Sequence, residues 1–309
     1  MALSSPAALS PVAADVVARR LQGRRFDRAG ALFRVLLLLA VSVTVLILVI
    51  LIGTVLTDGW SVLSERLGDF LRSDLSSRAQ RAGVAQGVRG TMTIGAIVVV
   101  VAFPVGIAAA VYLEEYAPHT RLTRLFDINI RNLAGVPSVV YGILGFSVFV
   151  RGLPGLTGGR SVLSAGLTLA ILVLPIVIIT SAEAIRAVPD SLREAGFGVG
   201  ATRWEVIRSN VLPYAAPGIL TGTVLSLSRA VGEAAPLILV GAVMGFFTGG
   251  GGLDIREPFT ALPIVIFHWA KQPSSWQANT AAAIVVLLVV VLVLNAAAIL
   301  LRNHYEKSR

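Results

Sequence analysis

A chain of 309 residues that is 55% hydrophobic and 14% charged is far more apolar than a soluble domain, in which about a quarter of the residues carry charge. Its nine excess positive charges do not read as a nucleic-acid surface, because the arginines cluster beside apolar runs and no aromatics are interleaved with them. With no cysteine, and with His119, His268 and His304 in no ligand spacing, neither a disulfide framework nor a metal or cofactor site is expected in this chain.

The chain opens on an arginine-rich tail, residues 1–34, which holds Arg19, Arg20, Arg24, Arg25, Arg28 and Arg34. Residues 35–56 are 22 uncharged positions, too long for the apolar core of a cleavable signal, so they are expected to persist as a first membrane helix. Crossing a hydrocarbon core of about 30 Å at about 1.5 Å per residue takes about 20 residues. Residues 91–113, 132–150, 161–182, 214–245 and 277–301 meet or approach that length. The sequence therefore predicts an all-α polytopic membrane protein with six transmembrane helices over residues 35–301 and a short tail over 302–309. Sixteen Lys and Arg fall on the side of the N-terminus and nine on the other, with Arg229 left inside a span. By the positive-inside rule both termini are expected in the cytoplasm, with the chain in the cytoplasmic (inner) membrane and lipid around it.

In the first outer loop, residues 57–90, Trp60, Leu63, Leu67, Phe70 and Leu71 recur at helical spacing and predict an amphipathic helix lying on the headgroups. On the inner side, Arg121, Leu122, Arg124, Leu125, Phe126 and Ile130 predict a short surface helix before the third span. That span opens with Leu133-Ala134-Gly135-Val136-Pro137-Ser138-Val139-Val140-Tyr141-Gly142. A proline among small residues predicts a helix break at Pro137, one turn before Tyr141. Such a break is tolerated in a membrane only where neighbours or water satisfy the freed carbonyls, so this face is expected to turn toward the interior and the pathway.

The loop over residues 183–213 is polar, and residues 189–213 within it have an internal design. Ser191 stands three residues before Glu194 and Thr202 three before Glu205, the spacing of two capping boxes and hence of two short helices. Gly196, Gly198 and Gly200 offer positions that tolerate positive φ between them. Phe197 and Trp204 flank that turn as large apolar groups on a segment too charged to enter lipid, so a protein partner is expected there.

In the fifth span Arg229 and Glu233 lie four apart, on one face of a helix. An arginine near the bilayer centre costs about 2.5–3.5 kcal/mol on insertion scales, which directs this pair to a polar interior. Residues 246–276 form an outer loop with Gly249, Gly250, Gly251 and Gly252. No phosphate-cradling GxxxxGK(S/T) accompanies that run. Pro258, Pro263 and the apolar residues after them predict a short re-entrant or interfacial piece, with Trp269 and Trp276 in the aromatic belt.

Three of these segments resemble one family. Glu194-Ala195-Gly196, Gly200 and Leu212-Pro213 match the spacing of the EAA loop of ABC importer membrane subunits, with Gly196 in place of the second Ala and Asn210 in place of the usual Ile. Residues 133–142 resemble the LAGVPS-(I/V)-VYG segment of phosphate-importer permeases. Arg229-Ala-Val-Gly-Glu233-Ala-Ala-Pro236 resembles the R-x-x-G-E-T-A-P segment of A-type permeases in phosphate-specific (Pst) importers, with Ala234 in place of Thr.

The resemblance implies the six-helix, MetI-like fold of type I ABC importer permeases and a non-catalytic subunit for inorganic phosphate. Its partners would be a C-type permease, two cytoplasmic ATPase subunits that bind ATP and Mg²⁺, and an extracellular or periplasmic phosphate-binding protein. It makes the loop carrying Ser191, Glu194, Ala195, Phe197, Gly200, Thr202 and Trp204 the coupling segment, and Arg229 and Glu233 residues of the translocation pathway. An importer for another oxyanion would keep the loop but not the Arg229 string. An ion-coupled secondary transporter commonly shows inverted repeats, of which no second copy is visible.

Overall fold

The computed structural model describes residues 28–118, 120–242 and 255–307. Most of the arginine-rich tail, His119 and the run Gly249, Gly250, Gly251 and Gly252 lie outside the described residues. The chain divides into two compact units, residues 1–54 and 55–309. The described part of the first is a stretch of one long helix, α1 (Arg28–Glu65), apolar all the way round as a membrane-spanning helix is.

The second unit is built around α7 (Val162–Arg186), which packs against α3 (Ala85–Val111) on one side and α10 (Leu212–Gly232) on another. The last long helix, α13 (Gln277–Lys307), lies against α10. Helices approach closely in a membrane where side chains are small. A methyl group at Gly106 would come within 2.6 Å of Val177, and one at Gly166 within 2.6 Å of Ile97. The core follows from this: Ile94 and Val98 of α3, Leu169 and Val173 of α7 and Ala230 of α10 are buried together. A second cluster at the end of the loop helices joins Val111, Ile185, Val206, Ile207 and Val211.

Among the described residues five helices are long and apolar enough to cross a membrane. A sixth span results if α4 (Arg121–Ala134) and α5 (Ser138–Gly145, continued by a wide π-type turn to Gly152 and followed by the single turn α6, Pro154–Thr157) count as one element bent by 100°. The predicted third span, 132–150, straddles that bend. Asn132, Leu133 and Ala134 belong to α4, the expected surface helix, which is capped by Thr120 and buries none of its residues. Pro137 biases the residue before it away from helical backbone, which separates the two helices. The predicted fifth span, 214–245, is likewise two pieces. Helix α10 ends at Gly232 and a short α11 (Ala235–Val240) follows, because a continuous helix would drive the Pro236 ring against the carbonyl of Gly232.

The predicted headgroup helix does not form as a unit. Trp60 and Leu63 lie on the end of α1, which runs on to Glu65, and only α2 (Leu67–Arg72) is separate. Phe70 turns inward onto Trp269 with ring centroids 6.2 Å apart. Arg66 ties the following loop down by donating to the carbonyls of Ala79 and Gln80 and to Asn279 Oδ1. Helical spacing of apolar residues does not distinguish a lipid surface from a protein one, and here the partner is protein. For the same reason Trp269 leaves the expected aromatic belt: it is buried on the short α12 (Leu262–Trp269), beside Trp276 at 5.4 Å.

Candidate functional site

The polar loop folds into two helices, α8 (Asp190–Gly198) and α9 (Arg203–Val206), the second running through a wide turn, Ile207–Val211, straight into α10. One of the two predicted capping boxes forms. Thr202 Oγ1 accepts from the Glu205 N–H at 3.4 Å, and Glu205 Oε2 accepts from the Thr202 N–H at 2.7 Å. The Ser191–Glu194 box does not form, because the helix starts two residues earlier than that box requires. Pro189 is its N-cap without a side-chain cap, and its carbonyl already accepts from the Leu192 N–H at 3.1 Å. Ser191 and Glu194 are therefore both inside α8.

Of the three glycines expected to turn the chain, Gly196 and Gly198 are helical and Gly200 alone has positive φ, +82°. A side chain at Gly200 would meet open space, so only the backbone conformation requires glycine there. Gly196 is required by packing. A methyl group on it would lie 2.8 Å from Val206 Cγ2 and 2.9 Å from Asn210 Nδ2, and that amide donates to the Leu192 carbonyl at 3.3 Å. The two departures from the EAA pattern thus touch each other: Asn210 occupies the space that an Ala at 196 would need.

Large apolar side chains stand exposed on the pair, among charged neighbours such as Glu194, Arg203 and Glu205. Phe197 is 50% exposed, Trp204 53% and Val199, which sequence reading passed over, 85%. Ala195, between Glu194 and Gly196 on α8, is also exposed. Sequence reading also missed what holds these helices to the spans. Three consecutive residues at the end of α3, Glu114, Glu115 and Tyr116, meet Arg186, Arg193 and Arg203 respectively. Their separation in sequence leaves no local pattern to find.

Near the helix breaks the geometry is equally definite. Tyr141 is buried, and its hydroxyl donates to the Leu133 carbonyl at 2.8 Å, a second bond on an acceptor that also takes the Val136 N–H at 3.0 Å at the end of α4. Gly142 lets α5 settle on α11: a methyl group there would lie 2.8 Å from Pro236 Cα and 2.7 Å from Leu239 Cδ1. The break at Pro137 and the break at Glu233 are therefore packed as one unit. Arg229 Nε lies 3.6 Å from Glu233 Oε1. Glu233 is not on the helical face expected for it but just past the end of α10, in extended backbone with ψ 123°. The two side chains are 49% and 22% exposed, respectively, so the pair opens outward from this chain's core.

The pattern of binding-protein-dependent transport system inner membrane components matches residues 102–308, from the middle of α3 to the end of the described chain. The chain belongs to that family. Among relatives of this inner membrane component is the phosphate transport system permease protein PstA 1 of Mycobacterium tuberculosis (strain ATCC 25618 / H37Rv), 35% identical over 224 residues, covering 71% of this chain and 70% of the relative. The phosphate transport system permease protein PstC of Mesorhizobium japonicum is 33% identical over 236 residues, 68% of this chain and 71% of its own. Two solved structures share the fold. The inward-facing MetNI methionine ABC transporter matches with a TM-score of 0.56 at 19% identity, over 72% of this chain and 97% of that chain. A bacterial ABC transporter involved in the import of the acidic polysaccharide alginate matches with a TM-score of 0.61 at 17% identity, over 88% and 96%.

Proposed function

We propose that this inner membrane component is the A-type permease half of an ABC importer for inorganic phosphate. The observation that carries the reading is the packing of α5 on α11 through Gly142 and Pro236. It joins the two segments that resemble phosphate permeases, residues 133–142 and 229–236, into one structural unit beside an ion pair. The names of the relatives in Mycobacterium tuberculosis and Mesorhizobium japonicum point the same way.

In this reading ATP and Mg²⁺ are bound by two copies of a separate cytoplasmic ATPase, and this chain supplies no catalytic group. Each ATPase seats a coupling helix in a groove. Here the exposed Phe197, Val199 and Trp204 provide the apolar surface that such a groove would cover. Closing of the ATPases on ATP draws this helix and that of a second, C-type permease together and rocks the spans from inward- to outward-facing. Phosphate then arrives from an extracellular or periplasmic binding protein.

Arg229 is the positive station on the route, and Glu233 keeps it weak, since conduction needs a site that attracts an anion without trapping it. The outward-facing pair fits a pathway shared with the second permease. The positive-inside rule puts both termini and the coupling loop in the cytoplasm.

Affinity purification of the tagged chain in mild detergent, followed by identification of the chains that accompany it, tests the class. An ATPase and a second permease are expected, and recovery of the chain alone would overturn the reading. Uptake of radiolabelled phosphate by the reconstituted complex, competed with sulfate and molybdate, tests the substrate. Competition by either at equal concentration would move the assignment to another oxyanion.

A further inference from the structure

We infer that Glu115 and Arg193 form the link through which movement of the coupling helix enters the membrane spans, an inference that rests on the coupling role proposed above for α8. Among the described residues Glu115 is the only charged residue that is buried, at 8% exposure. A lone carboxylate in such a place would be costly unless paired and hydrogen-bonded. Arg193 supplies the pairing in a fork, with Nε at 3.1 Å and Nη2 at 2.9 Å from Glu115 Oε1.

The same guanidinium has further partners. It donates to the Ile185 carbonyl at 3.1 Å, to the Val188 carbonyl at 2.7 Å and to Asp190 Oδ1 at 3.1 Å. One side chain of α8 is thereby fastened to the end of α3, to the end of α7 and to its own helix start. A planar group with donors in fixed directions can do this, and a lysine could not.

The neighbours of Glu115 complete the arrangement. The wide turn Tyr112–Tyr116 that ends α3 also sets Tyr116 under Arg203 of α9, 5.0 Å from guanidinium carbon to ring centroid. Both loop helices are therefore gripped by adjacent residues of a single turn. Turns of this π type inside or at the end of helices recur at functional sites. Glu114 in the same turn takes Arg186 at 2.5 Å, but Arg186 belongs to α7 and reaches neither loop helix. That pair serves as a control for loss of an ion pair at the same turn, being one that bypasses α8, though its arginine is the more exposed, 56% against 19%.

Arg193 and Glu115 are positioning residues: their hydrogen bonds run to each other, to the Ile185 and Val188 carbonyls and to Asp190, and neither stands exposed as Phe197 and Trp204 do. A stiff connection at this point makes a displacement of α8 appear in α3 and α7 instead of being absorbed by the loop backbone.

The test is the number of phosphate ions transported per ATP hydrolysed by the complete complex in liposomes, with binding protein present, for Arg193→Gln, Glu115→Gln and Arg186→Gln. In the first two variants the ATPase is expected to co-purify in wild-type amount and to hydrolyse ATP, while the transport ratio falls about tenfold, within the usual range for coupled sites. Arg186→Gln should keep the wild-type ratio. Should Arg193→Gln fail to assemble, Arg193→Lys keeps the charge and one contact to Glu115, and an intermediate ratio is expected.

A wild-type ratio in assembled Arg193→Gln or Arg193→Lys complexes would overturn the link. So would parallel loss of ATPase co-purification and transport, which marks the pair as part of the docking surface. Failure of the underlying reading shows separately, as absence of an ATPase from the wild-type preparation.

Discussion

Arg229 and Glu233 meet because α10 ends between them, and a change at either alters the pair of side chains. Glu233→Gln leaves Arg229 a neutral acceptor. Arg229→Gln leaves an unpaired carboxylate facing an anionic substrate. If the pair lines the pathway, phosphate uptake per assembled complex should fall about tenfold for Arg229→Gln, the equivalent of about 1.4 kcal/mol on the barrier, and by less for Glu233→Gln. A purely structural pair predicts instead that both changes lower assembly alike and that the double change restores it, because no charge is then left uncompensated. Radiolabelled uptake normalised to recovered complex separates the two outcomes. Tyr141 shows the opposite situation at the same scale: its partner is a backbone carbonyl eight residues back, so its task is to hold the elbow between α4 and α5.

At the scale of elements, the two loop helices were legible to different degrees. Thr202 and Glu205 close a local box that needs nothing beyond three residues of helix. Ser191 and Glu194 have the same spacing, yet α8 starts two residues earlier than their box requires, with Pro189 as its N-cap. The contact between Gly196 and Asn210 was not legible at all, because it depends on how α8 packs against the turn after α9. It carries a prediction. Gly196→Ala alone should overpack this contact and destabilise the complex, in the range of about 1–3 kcal/mol for small-to-large changes in packed sites. Gly196→Ala with Asn210→Ile, the pairing of the EAA pattern, should lose less than the single change. Melting temperatures of the detergent-solubilised complexes check this through non-additivity in a double-mutant cycle, and simple additivity would show that the two positions do not share a space.

For the whole molecule, the prediction is topological. Ser191 lies at the start of α8, and Ser274 in the short turn before α13; both are exposed. Because the chain has no cysteine, Ser191→Cys and Ser274→Cys each present a single thiol. The 16-to-9 division of Lys and Arg predicts that an impermeant thiol reagent labels Ser274→Cys from outside intact cells, and Ser191→Cys only once the cytoplasmic face is exposed. Labelling of both from one side would rule out the six-span arrangement and, with it, an ATPase at α8.

The sequence by itself determined the class of the protein, the positions of the long apolar helices, the helix break at Pro137 and the stretch of chain that forms the polar loop. Each of these is a local matter: run length against bilayer thickness, a proline's missing donor and fixed φ, charge beside an apolar run. Tertiary structure decided where the breaks act and what the loop is fastened to. Gly142 meets Pro236 across 94 positions and Glu115 meets Arg193 across 78, distances over which no periodicity or spacing carries information. It also decided which apolar faces meet lipid and which meet protein. Phe70 and Trp269 carry the same apolar signal as any interfacial pair, and only the fold of residues 66–85 onto α12 and α13 removes them from the membrane surface. Hydrophobicity states that a side chain leaves water, and the packing of the chain states what it meets instead.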